Sequence, residues 1–554
     1  MGRRVEAPLP AWEQTTYWIV GVSSILYGLY NVFLASLDLQ DKLEYVEDGY
    51  EILGRKQDVE DYEWYIYSMY FCWKLPPLLL LHIAVSRAMF LLNIDVQTRK
   101  YVYVLNGVML AWGLQSWRFS LLLCLTPVPF FAASALRSVP AVWAVSVAAT
   151  YLCNAYADDL MNLLGVTDSL NYFVVIYIWA SVFLRCTCCA VERVWSLNQA
   201  TFASTPGHSK NSSRVTRTGS SQNSSAGSAK KRSTSACQKE NGCQSDTQGQ
   251  LYDWPVLSKM PSVCDMYLCV FYTPSLFTGP PVTFKSFIEQ IENPAPMSRD
   301  RLLSVLWGSL RVCFWFLFNN VMFHFFYFKA LSYNTILMES VNKWTLTTTA
   351  YLVGQFMTNK YVVIYGWMRQ ISKLDGLDLA ENPACVGYIY AYSDMWKSFD
   401  RGLHSCLKRY LYVPLGGSQA GLLRCEAANL ITFLFVGYWH GGGTRYITWS
   451  LLNFAEVNLE MVGYYLERCS AVQENVVKRV SERGMRRVRC VLLYPVWLLA
   501  GVSNMCFLAG PEFAYVYATR ICLQWDSFLA FSVIFYCLAQ GAKHLERLGC
   551  TKFS

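Results

Sequence analysis

Long apolar stretches recur along this chain of 554 residues, and they constrain its fold more than any other feature. The first runs from Thr15 to Leu37, close to the roughly 20 residues that a helix needs to cross a bilayer. Only 16% of the residues are charged, against about 25% in a soluble globular protein. Backbone polar groups in lipid must be bonded within their own segment, which favours helices. We therefore predict an all-α, polytopic membrane fold rather than several soluble domains.

Further apolar runs bring the expected total to roughly ten to twelve membrane segments, some of them re-entrant. The additional runs lie near residues 66–93, 101–124, 139–163, 170–190, 303–332, 343–370, 428–439, 446–466, 488–509 and 524–541. The run at 428–439 is too short to span a bilayer, so we expect it to be re-entrant or joined to a neighbouring segment. The first run is too long for a signal-peptide core and lacks a small-residue cleavage site, which indicates a retained helix.

Changes in composition divide the chain into three parts. Residues 1–200 contain the N-terminal membrane helices and a loop, 38–63, that carries nine acidic residues up to Asp61. The scarcity of basic residues in this loop indicates that it lies in the lumen and that the N-terminus lies in the cytosol. Residues 201–250 are rich in Ser, Thr, Asn, Gly and Lys, which predicts a disordered, basic, cytosolic loop. Residues 251–554 form a second membrane core, which holds the candidate site residues.

The net charge of +8 does not indicate nucleic-acid binding. Seven of the basic residues fall within the polar segment 201–250. A basic flexible loop is the ordinary explanation of such a cluster, because it stays solvated without a partner. We therefore expect no nucleic-acid partner.

The 20 cysteines are scattered, many of them inside apolar runs. They form neither a secreted-type disulfide framework nor a repeated CxxC pair, so we interpret most as buried, small apolar side chains. Cys186, Cys188 and Cys189 form a cluster at the end of one run. A cluster beside the membrane is a candidate for palmitoylation.

One of only six histidines, His440, stands in the motif Tyr438-Trp-His-Gly-Gly-Gly443 at the end of an apolar run. An ionisable residue at membrane depth is costly and is a functional candidate by default. The glycines that follow let backbone or substrate approach closely. The alternative is a core histidine that is hydrogen-bonded to a carbonyl group.

Asp400 and His404 are four residues apart, so on a helix they share one face. This spacing could hold a metal, but no third ligand with suitable spacing is evident. The alternative for Asp400 is an ion pair with Arg401, Lys408 or Arg409. The glycine-rich turn Gly416-Gly-Ser418 near these cations could hold phosphates, or it could be an ordinary turn.

Taken in order, three segments resemble the signature of the membrane-bound O-acyltransferases. They are Trp396-x-x-Phe399-Asp400, Tyr412-x-Pro-Leu-Gly-Gly-Ser418 and Tyr438-Trp-His440-Gly-Gly442. Other segments resemble the hedgehog acyltransferase branch of this family. They are Asp61-Tyr-Glu-Trp64, Gly279-Pro280 with Phe284 and Phe287, Lys373-Leu-Asp-Gly-Leu377, Gly402-Leu-His404 and Ser503-Asn504. The likeness runs from the first loop almost to the end of the chain, and it implies a catalytic membrane core at 251–554 with 201–250 as an insertion.

The resemblance implies transfer of a palmitoyl group from palmitoyl-CoA to the N-terminal cysteine amine of hedgehog-type secreted proteins. His440 would be the general base, since an α-amine has a reference pKa of about 8 and histidine titrates near neutrality. Asp400 would orient the site or take part in proton movement, and Asn504 would contact the thioester or its developing oxyanion. The other residues implied to contact substrate or the coenzyme A phosphates are Trp396, Lys397, Lys408 and Arg409.

Cys385 corresponds, in this resemblance, to a cysteine that is thought to ligate haem in hedgehog acyltransferases. A thiolate is a known axial ligand of haem, and the alternative is a buried or palmitoylated thiol. We expect no Zn²⁺ or Mg²⁺. The implied partners are the N-terminus of a hedgehog-type protein, acyl-CoA, and membrane lipids or sterol. We expect a monomer in the endoplasmic reticulum membrane, with the Golgi as the alternative location.

Two other kinds of function remain open on sequence alone. An enzyme of the same class could instead acylate a serine hydroxyl on a secreted protein, a lipid or a sterol. A non-enzymatic protein, either a transporter or an inactive scaffold with the same fold, is the second possibility. Transporters often show paired broken helices in two repeat halves, which are not evident here. A hedgehog acyltransferase-like subgroup is thought to lack the catalytic histidine, so His440 argues for an active enzyme.

Overall fold

The chain folds almost entirely into helices. The computed structural model describes residues 7–167, 169–204, 257, 259–277 and 279–549. The longer helices are Ala11–Leu39, Leu75–Leu91, Val96–Leu114, Val139–Ala155, Ser169–Ser204, Arg299–Phe325, Lys343–Leu374, Leu422–Trp439, Thr444–Arg468, Tyr494–Leu508 and Trp525–Arg547. The shorter helices are Tyr62–Met69, Trp117–Leu125, Pro127–Ala135, Ala157–Leu164, Val263–Phe271, Thr273–Leu276, Phe284–Glu292, Phe328–Tyr333, Thr335–Ser340, Tyr392–Ser398, Arg401–Leu407, Ser470–Val472, Glu482–Leu492 and Pro511–Tyr517. Short 3₁₀ or π turns are Glu51–Leu53, Tyr70–Lys74, Val386–Tyr388, Lys408–Tyr412, Gly417–Gln419, Gln473–Val477 and Ala518–Cys522. The predicted all-α class is confirmed.

A small hairpin in the acidic loop is the only β-structure in the described part of the chain. Its strands Val46–Asp48 and Lys56–Asp58 pair antiparallel. The Asp58 carboxylate accepts hydrogen bonds from the backbone N–H groups of Lys329 and Ala330, at 2.8 and 3.0 Å. These N–H groups belong to the first turn of a helix, whose donors have no partner within the helix itself. Burial raises the pKa of Asp58 to about 7 despite these bonds. The acidic loop is thus attached to the membrane helices rather than hanging free.

Seven helical segments among the described residues are long and apolar enough to cross a membrane, which confirms the polytopic fold. They are Ala11–Leu39, Tyr62–Leu91, Trp117–Ala135, Asn171–Ala200, Arg299–Phe325, Glu482–Leu508 and Trp525–Arg547. The pair Val139–Ala155 and Ala157–Leu164 becomes an eighth if the two helices, which meet at a 77° bend, form one broken span. Helices such as Lys343–Leu374 fall outside this count because they are rich in threonine and other polar residues.

The helix Lys343–Leu374 occupies the centre of the fold, and many of its side chains are buried. It packs along Arg299–Phe325 and Ala11–Leu39. On another side of the molecule, Thr444–Arg468 packs against both Leu422–Trp439 and the helix that begins at Tyr494. This arrangement brings Trp396, Asp400, His440 and Asn504, which are far apart in sequence, to one interior cavity.

The cysteine cluster lies on the helix Ser169–Ser204, and the side chains of Cys186, Cys188 and Cys189 are buried in the protein interior. Palmitoylation needs an exposed thiol, so this reading of the cluster is wrong for the folded protein. The same helix continues to Ser204, slightly beyond the expected start of the disordered loop. The rest of that loop, 205–250, lies outside the described residues.

Candidate active site

An interior cavity of about 850 Å³ brings half of the predicted site residues together. Its volume is in the range of pockets that bind small molecules and cofactors, roughly 300–1,000 Å³. Trp396, Asp400, His440 and Asn504 all line it, as does His404. Most of the other lining residues are apolar or aromatic, as a site for an acyl chain requires.

His440 directly follows the helix Leu422–Trp439, and Gly441 and Gly442 then turn the chain. Their φ values of +124° and +70° require glycine, because L side chains rarely adopt them. Four aromatic rings surround the imidazole at centroid distances of 4.8 to 6.2 Å. We call these rings the aromatic pocket; they belong to Trp439, Tyr446, Trp449 and Phe507. No described protein group hydrogen-bonds the imidazole, so the alternative of a carbonyl-bonded core histidine is wrong and the ring nitrogens are available to a substrate.

Asp400 precedes the short helix Arg401–Leu407 and accepts a hydrogen bond from the Leu403 backbone N–H at 2.8 Å. Its second oxygen accepts from the Tyr365 hydroxyl at 2.9 Å. None of the three cations considered from the sequence pairs with it within the described residues. The ion-pair alternative for Asp400 is therefore wrong. The carboxyl group is held by neutral donors and faces the cavity.

Trp396 and Asn504 meet through a small hydrogen-bonded network. The Trp396 indole N–H donates to Asn453 Oδ1 at 3.1 Å, and the Tyr392 hydroxyl donates to the same oxygen. The Tyr392 hydroxyl also lies within hydrogen-bonding reach of the Asn504 side chain. Asn504 itself donates to the Ala500 carbonyl at 2.7 Å. Tyr392 and Asn453, which the sequence analysis did not single out, thus hold two of the predicted substrate contacts.

Another part of the cavity wall consists of paired charges, which we call the charged wall: Glu60, Asp61, Glu63, Lys329 and Lys360. Lys360 Nζ lies 3.0 Å from Asp61 and 2.6 Å from Glu63. Lys329 Nζ lies 3.3 Å from Glu60 and 3.7 Å from Asp61. Burial alone would raise the pKa of Asp61, but the Lys360 and Lys329 ammonium groups outweigh it and hold the pKa below its usual range.

The sequence contains a signal for this wall that the sequence analysis did not use. Lys360 falls within the apolar run at 343–370, and Lys329 within the run at 303–332. A lysine at membrane depth calls for an anionic partner. The nine acidic residues up to Asp61 were candidate partners for these lysines.

The three cations implied to bind coenzyme A phosphates do not line the cavity. Arg409 pairs at 2.7 Å with Glu192, whose side chain is fully buried. Lys397 lies 3.4 Å from Asp394, and half of its side chain is exposed. Lys408 makes no ion pair within the described part of the chain. Arg409 is therefore committed to a structural pair, whereas a role for Lys397 and Lys408 stays a prediction.

Cys385 is exposed, and its thiol lies 3.5 Å from Gln355 Oε1. An exposed thiol is accessible to a haem iron as an axial ligand; Cys385 itself does not line the cavity, whereas its neighbours Val386 and Gly387 do. The described residues contain no group of three or more His, Cys, Asp or Glu side chains that could hold a metal ion. Haem at Cys385 stays a prediction, and no step below depends on it.

The chain is similar in sequence to known proteins. The family model of the membrane-bound O-acyltransferases matches residues 163–478, more than half of the chain. The chain is 26% identical to the protein-cysteine N-palmitoyltransferase HHAT of Mus musculus, over 96% of this chain and 97% of that protein. It is 30% identical to the protein-cysteine N-palmitoyltransferase Rasp of Drosophila melanogaster, over 44% of this chain and 48% of that protein. It is 25% identical to the HHAT-like protein of Mus musculus, over 98% and 96% of the two chains.

The chain belongs to the membrane-bound O-acyltransferase family. It is a multi-pass membrane acyltransferase, and the likeness to the hedgehog acyltransferase branch is confirmed by its curated relatives. The transporter alternative from the sequence is therefore wrong.

Proposed function

We propose that this acyltransferase transfers a palmitoyl group from palmitoyl-CoA to the N-terminal cysteine amine of hedgehog-type secreted proteins, in the endoplasmic reticulum membrane. The observation that carries the proposal is the presence of His440, Asp400 and Asn504 on the wall of one cavity. The names of two relatives, both protein-cysteine N-palmitoyltransferases, supply the donor and the acceptor class.

In the proposed reaction the amine nitrogen attacks the thioester carbonyl carbon, so a C–N bond forms and the C–S bond breaks. His440 accepts the proton that the amine loses. The same proton then passes to the sulfur of the departing coenzyme A, which leaves as a thiol. An acceptor that arrives as an ammonium ion must first release one further proton, which goes to solvent. The product is a stable amide.

Asn504 and Asp400 would assist in different ways. Asn504 lies on the cavity wall; one N–H of its amide is donated to Ala500, and the other would turn to the negative charge that develops on the carbonyl oxygen. Asp400 would orient the acceptor amine, because a carboxylate held by Tyr365 and a backbone N–H retains free lone pairs. The apolar part of the wall would hold the acyl chain.

The two substrates would reach the cavity from opposite sides of the membrane. Acyl-CoA is cytosolic, and a secreted acceptor presents its N-terminus in the lumen. The charged wall contains residues of the loop predicted to be luminal, so the acceptor would pass it on entry.

Transfer of labelled palmitate to three matched peptides tests the acceptor. The first has a free N-terminal cysteine, the second has the same cysteine with an acetylated amine, and the third is acetylated and carries serine in its place. We expect a hydroxylamine-resistant product on the first peptide alone, because an amide resists hydroxylamine and a thioester does not. Modification of the acetylated serine peptide would instead favour the serine hydroxyl acceptor. Transfer to none of the peptides would contradict the proposal.

A further inference from the structure

A buried glutamate behind the cavity has no role in the reaction described so far. Glu456 lies on the helix Thr444–Arg468, and its side chain is fully buried. Its carboxyl group faces the hydroxyl groups of Tyr392 and Ser503. Neither carboxyl oxygen makes a well-formed hydrogen bond, and no cation pairs with it among the described residues. Buried polar atoms of this kind need an explanation, because native proteins contain few of them.

The hydrogen-bond donors around Glu456 are already committed elsewhere. Asn453 Nδ2 donates to the Trp449 carbonyl, which orients the Asn453 amide so that its Oδ1 faces Tyr392 as an acceptor. The single hydrogen of the Tyr392 hydroxyl is therefore donated to Asn453. The Ser503 hydroxyl likewise donates to the Ala500 carbonyl at 3.2 Å.

Glu456 thus faces two hydroxyl oxygens whose hydrogens are donated to Asn453 and Ala500 in this arrangement. An ionised carboxylate is only an acceptor, so it would face them without any donor between. It would also be an unpaired charge in a site away from water, which is costly. A protonated carboxylic acid lessens both difficulties, because it carries no charge and presents an O–H donor toward the Tyr392 and Ser503 oxygens.

Tyr392 is the point where this carboxyl group reaches the active site. Its hydroxyl contacts Asn453, which holds the Trp396 indole, and it lies within reach of Asn504. Trp396 and Asn504 both line the cavity, whereas Glu456 does not. Any loss of order at the Tyr392 hydroxyl is therefore passed to two side chains that face the substrate.

We propose that Glu456 is a positioning residue that acts as a neutral hydrogen-bond donor, holding Tyr392 and through it Asn504 and Trp396 in place for acyl transfer. The proposal rests on the proposed function, because its effect is measured on turnover. Glu456 touches neither substrate, so its loss changes the rate of the chemical step rather than the binding of acyl-CoA.

Two substitutions separate this role from a purely structural one. Glu456→Gln keeps an N–H donor and removes any possibility of a negative charge. Glu456→Leu fills the same space without a polar group, and burying an apolar side chain in place of an incompletely bonded carboxyl does not lower stability. Glu460→Gln is the matched control: Glu460 is a buried glutamate one turn further along the same helix, bonded to Ser393 and away from the cavity.

The full-length protein in detergent is assayed for kcat, for KM of palmitoyl-CoA and for Tm. We expect Glu456→Leu to keep or raise Tm and to leave KM within about twofold, while kcat falls roughly tenfold, part of what loss of an oxyanion donor costs. Glu456→Gln and Glu460→Gln should keep kcat within about threefold of wild type. A tenfold change in kcat corresponds to about 1.4 kcal/mol in activation free energy. This combination of a stable Leu variant, a selective fall in kcat and rescue by Gln supports the positioning role.

Two results would overturn the proposal. One is full kcat in a folded Glu456→Leu variant, which would make the carboxyl dispensable. The other is an equal fall in kcat for the Gln and Leu variants, which would mean that the reaction needs an ionisable group. If wild type modifies no cysteine peptide, the acceptor assignment fails separately. The same ratios are then read from coenzyme A release from palmitoyl-CoA in the absence of peptide.

Discussion

The charged wall and the aromatic pocket line the same cavity but treat ionisable groups in opposite ways. In the charged wall every carboxylate lies within 4 Å of a lysine, so each charge has an opposite charge beside it. In the aromatic pocket the His440 imidazole is surrounded by rings and has no charged partner among the described residues. Pairing opposite charges reduces the free-energy cost of burying them, whereas an unpaired imidazole is free to take part in proton transfer. Substitutions in the first region should therefore affect folding, and those in the second should affect turnover.

The largest effect is expected at His440. Removing a general base costs about 10²- to 10⁴-fold in rate, so we expect His440→Ala to lose that much kcat in palmitoyl transfer. Its Tm should stay close to that of wild type, because the imidazole makes no hydrogen bond to the described protein. His544→Ala, at the end of the last helix and outside the cavity wall, is the control and should keep full kcat. Substantial turnover by a folded His440→Ala variant would show that the base is another group.

The charged wall should respond in stability instead. Lys360→Met leaves Asp61 and Glu63 buried without their nearest cation, and breaking a buried pair in this way costs about 3–5 kcal/mol. We expect a large fall in Tm in detergent, measured by thermal unfolding. Lys343→Met is the matched control, because Lys343 pairs at 2.7 Å with Asp526, which is exposed. Such surface pairs contribute about 0–1 kcal/mol, so its Tm should hardly change. Equal Tm values for the two variants would mean that the buried pairs do not stabilise the fold.

A substitution at Arg409 tests whether this cation stabilises the fold or binds the phosphates of coenzyme A. Arg409 pairs with the buried Glu192, so Arg409→Met should lower Tm. The KM for palmitoyl-CoA should stay within about twofold, because a larger rise is expected only if the variant loses a charged hydrogen bond to the coenzyme, which contributes about 1.5–3 kcal/mol. The two quantities are measured on the same purified variant. A rise in KM of more than about tenfold without a loss of Tm would restore the phosphate-binding role that the resemblance implied.

The smallest effects are expected at the glycines beside His440. Gly441→Ala places a side chain at a φ of +124°, which costs roughly 1–2 kcal/mol and tilts the turn that carries the imidazole. We expect a lower Tm together with a several-fold lower kcat. Gly443→Ala should change neither, because its φ is −67° and an added Cβ meets no atom within 4 Å. If both variants behave alike, the glycines are not needed for the backbone conformation.

The helices, His440 and Asp400 could be predicted because their signals are local. An apolar run of spanning length indicates a helix wherever it occurs, and a histidine beside glycines inside such a run stands out without knowledge of its neighbours. The partners could not be predicted. Arg409 and Glu192 are 217 residues apart, and neither local sequence indicates that the two side chains form an ion pair.

Some local sequence patterns were also compatible with two different sets of side-chain contacts, and the sequence alone could not distinguish them. Asp400 stands next to Arg401, but Arg401 pairs with Glu381 and leaves the carboxyl to Tyr365. Glu456 is buried in the helix Thr444–Arg468, at a position where an unpaired charge would be costly. The neutral state proposed for it rests on the hydrogen bonds that Tyr392 and Ser503 make elsewhere, which lie outside its own segment.

The bond between Asp58 and the helix at Lys329 has a consequence for biosynthesis. The two residues are 271 positions apart, so the acidic hairpin cannot reach its final partner until that much more chain has been made. At roughly 5–20 residues per second, the wait is on the order of tens of seconds. During this interval the hairpin's carboxylates are in water, and the first helices are in the membrane without their central neighbour. The N-terminal third of the protein is therefore assembled late although it is synthesised first, and a ribosome-bound fragment that ends before Lys329 should expose this hairpin to proteases.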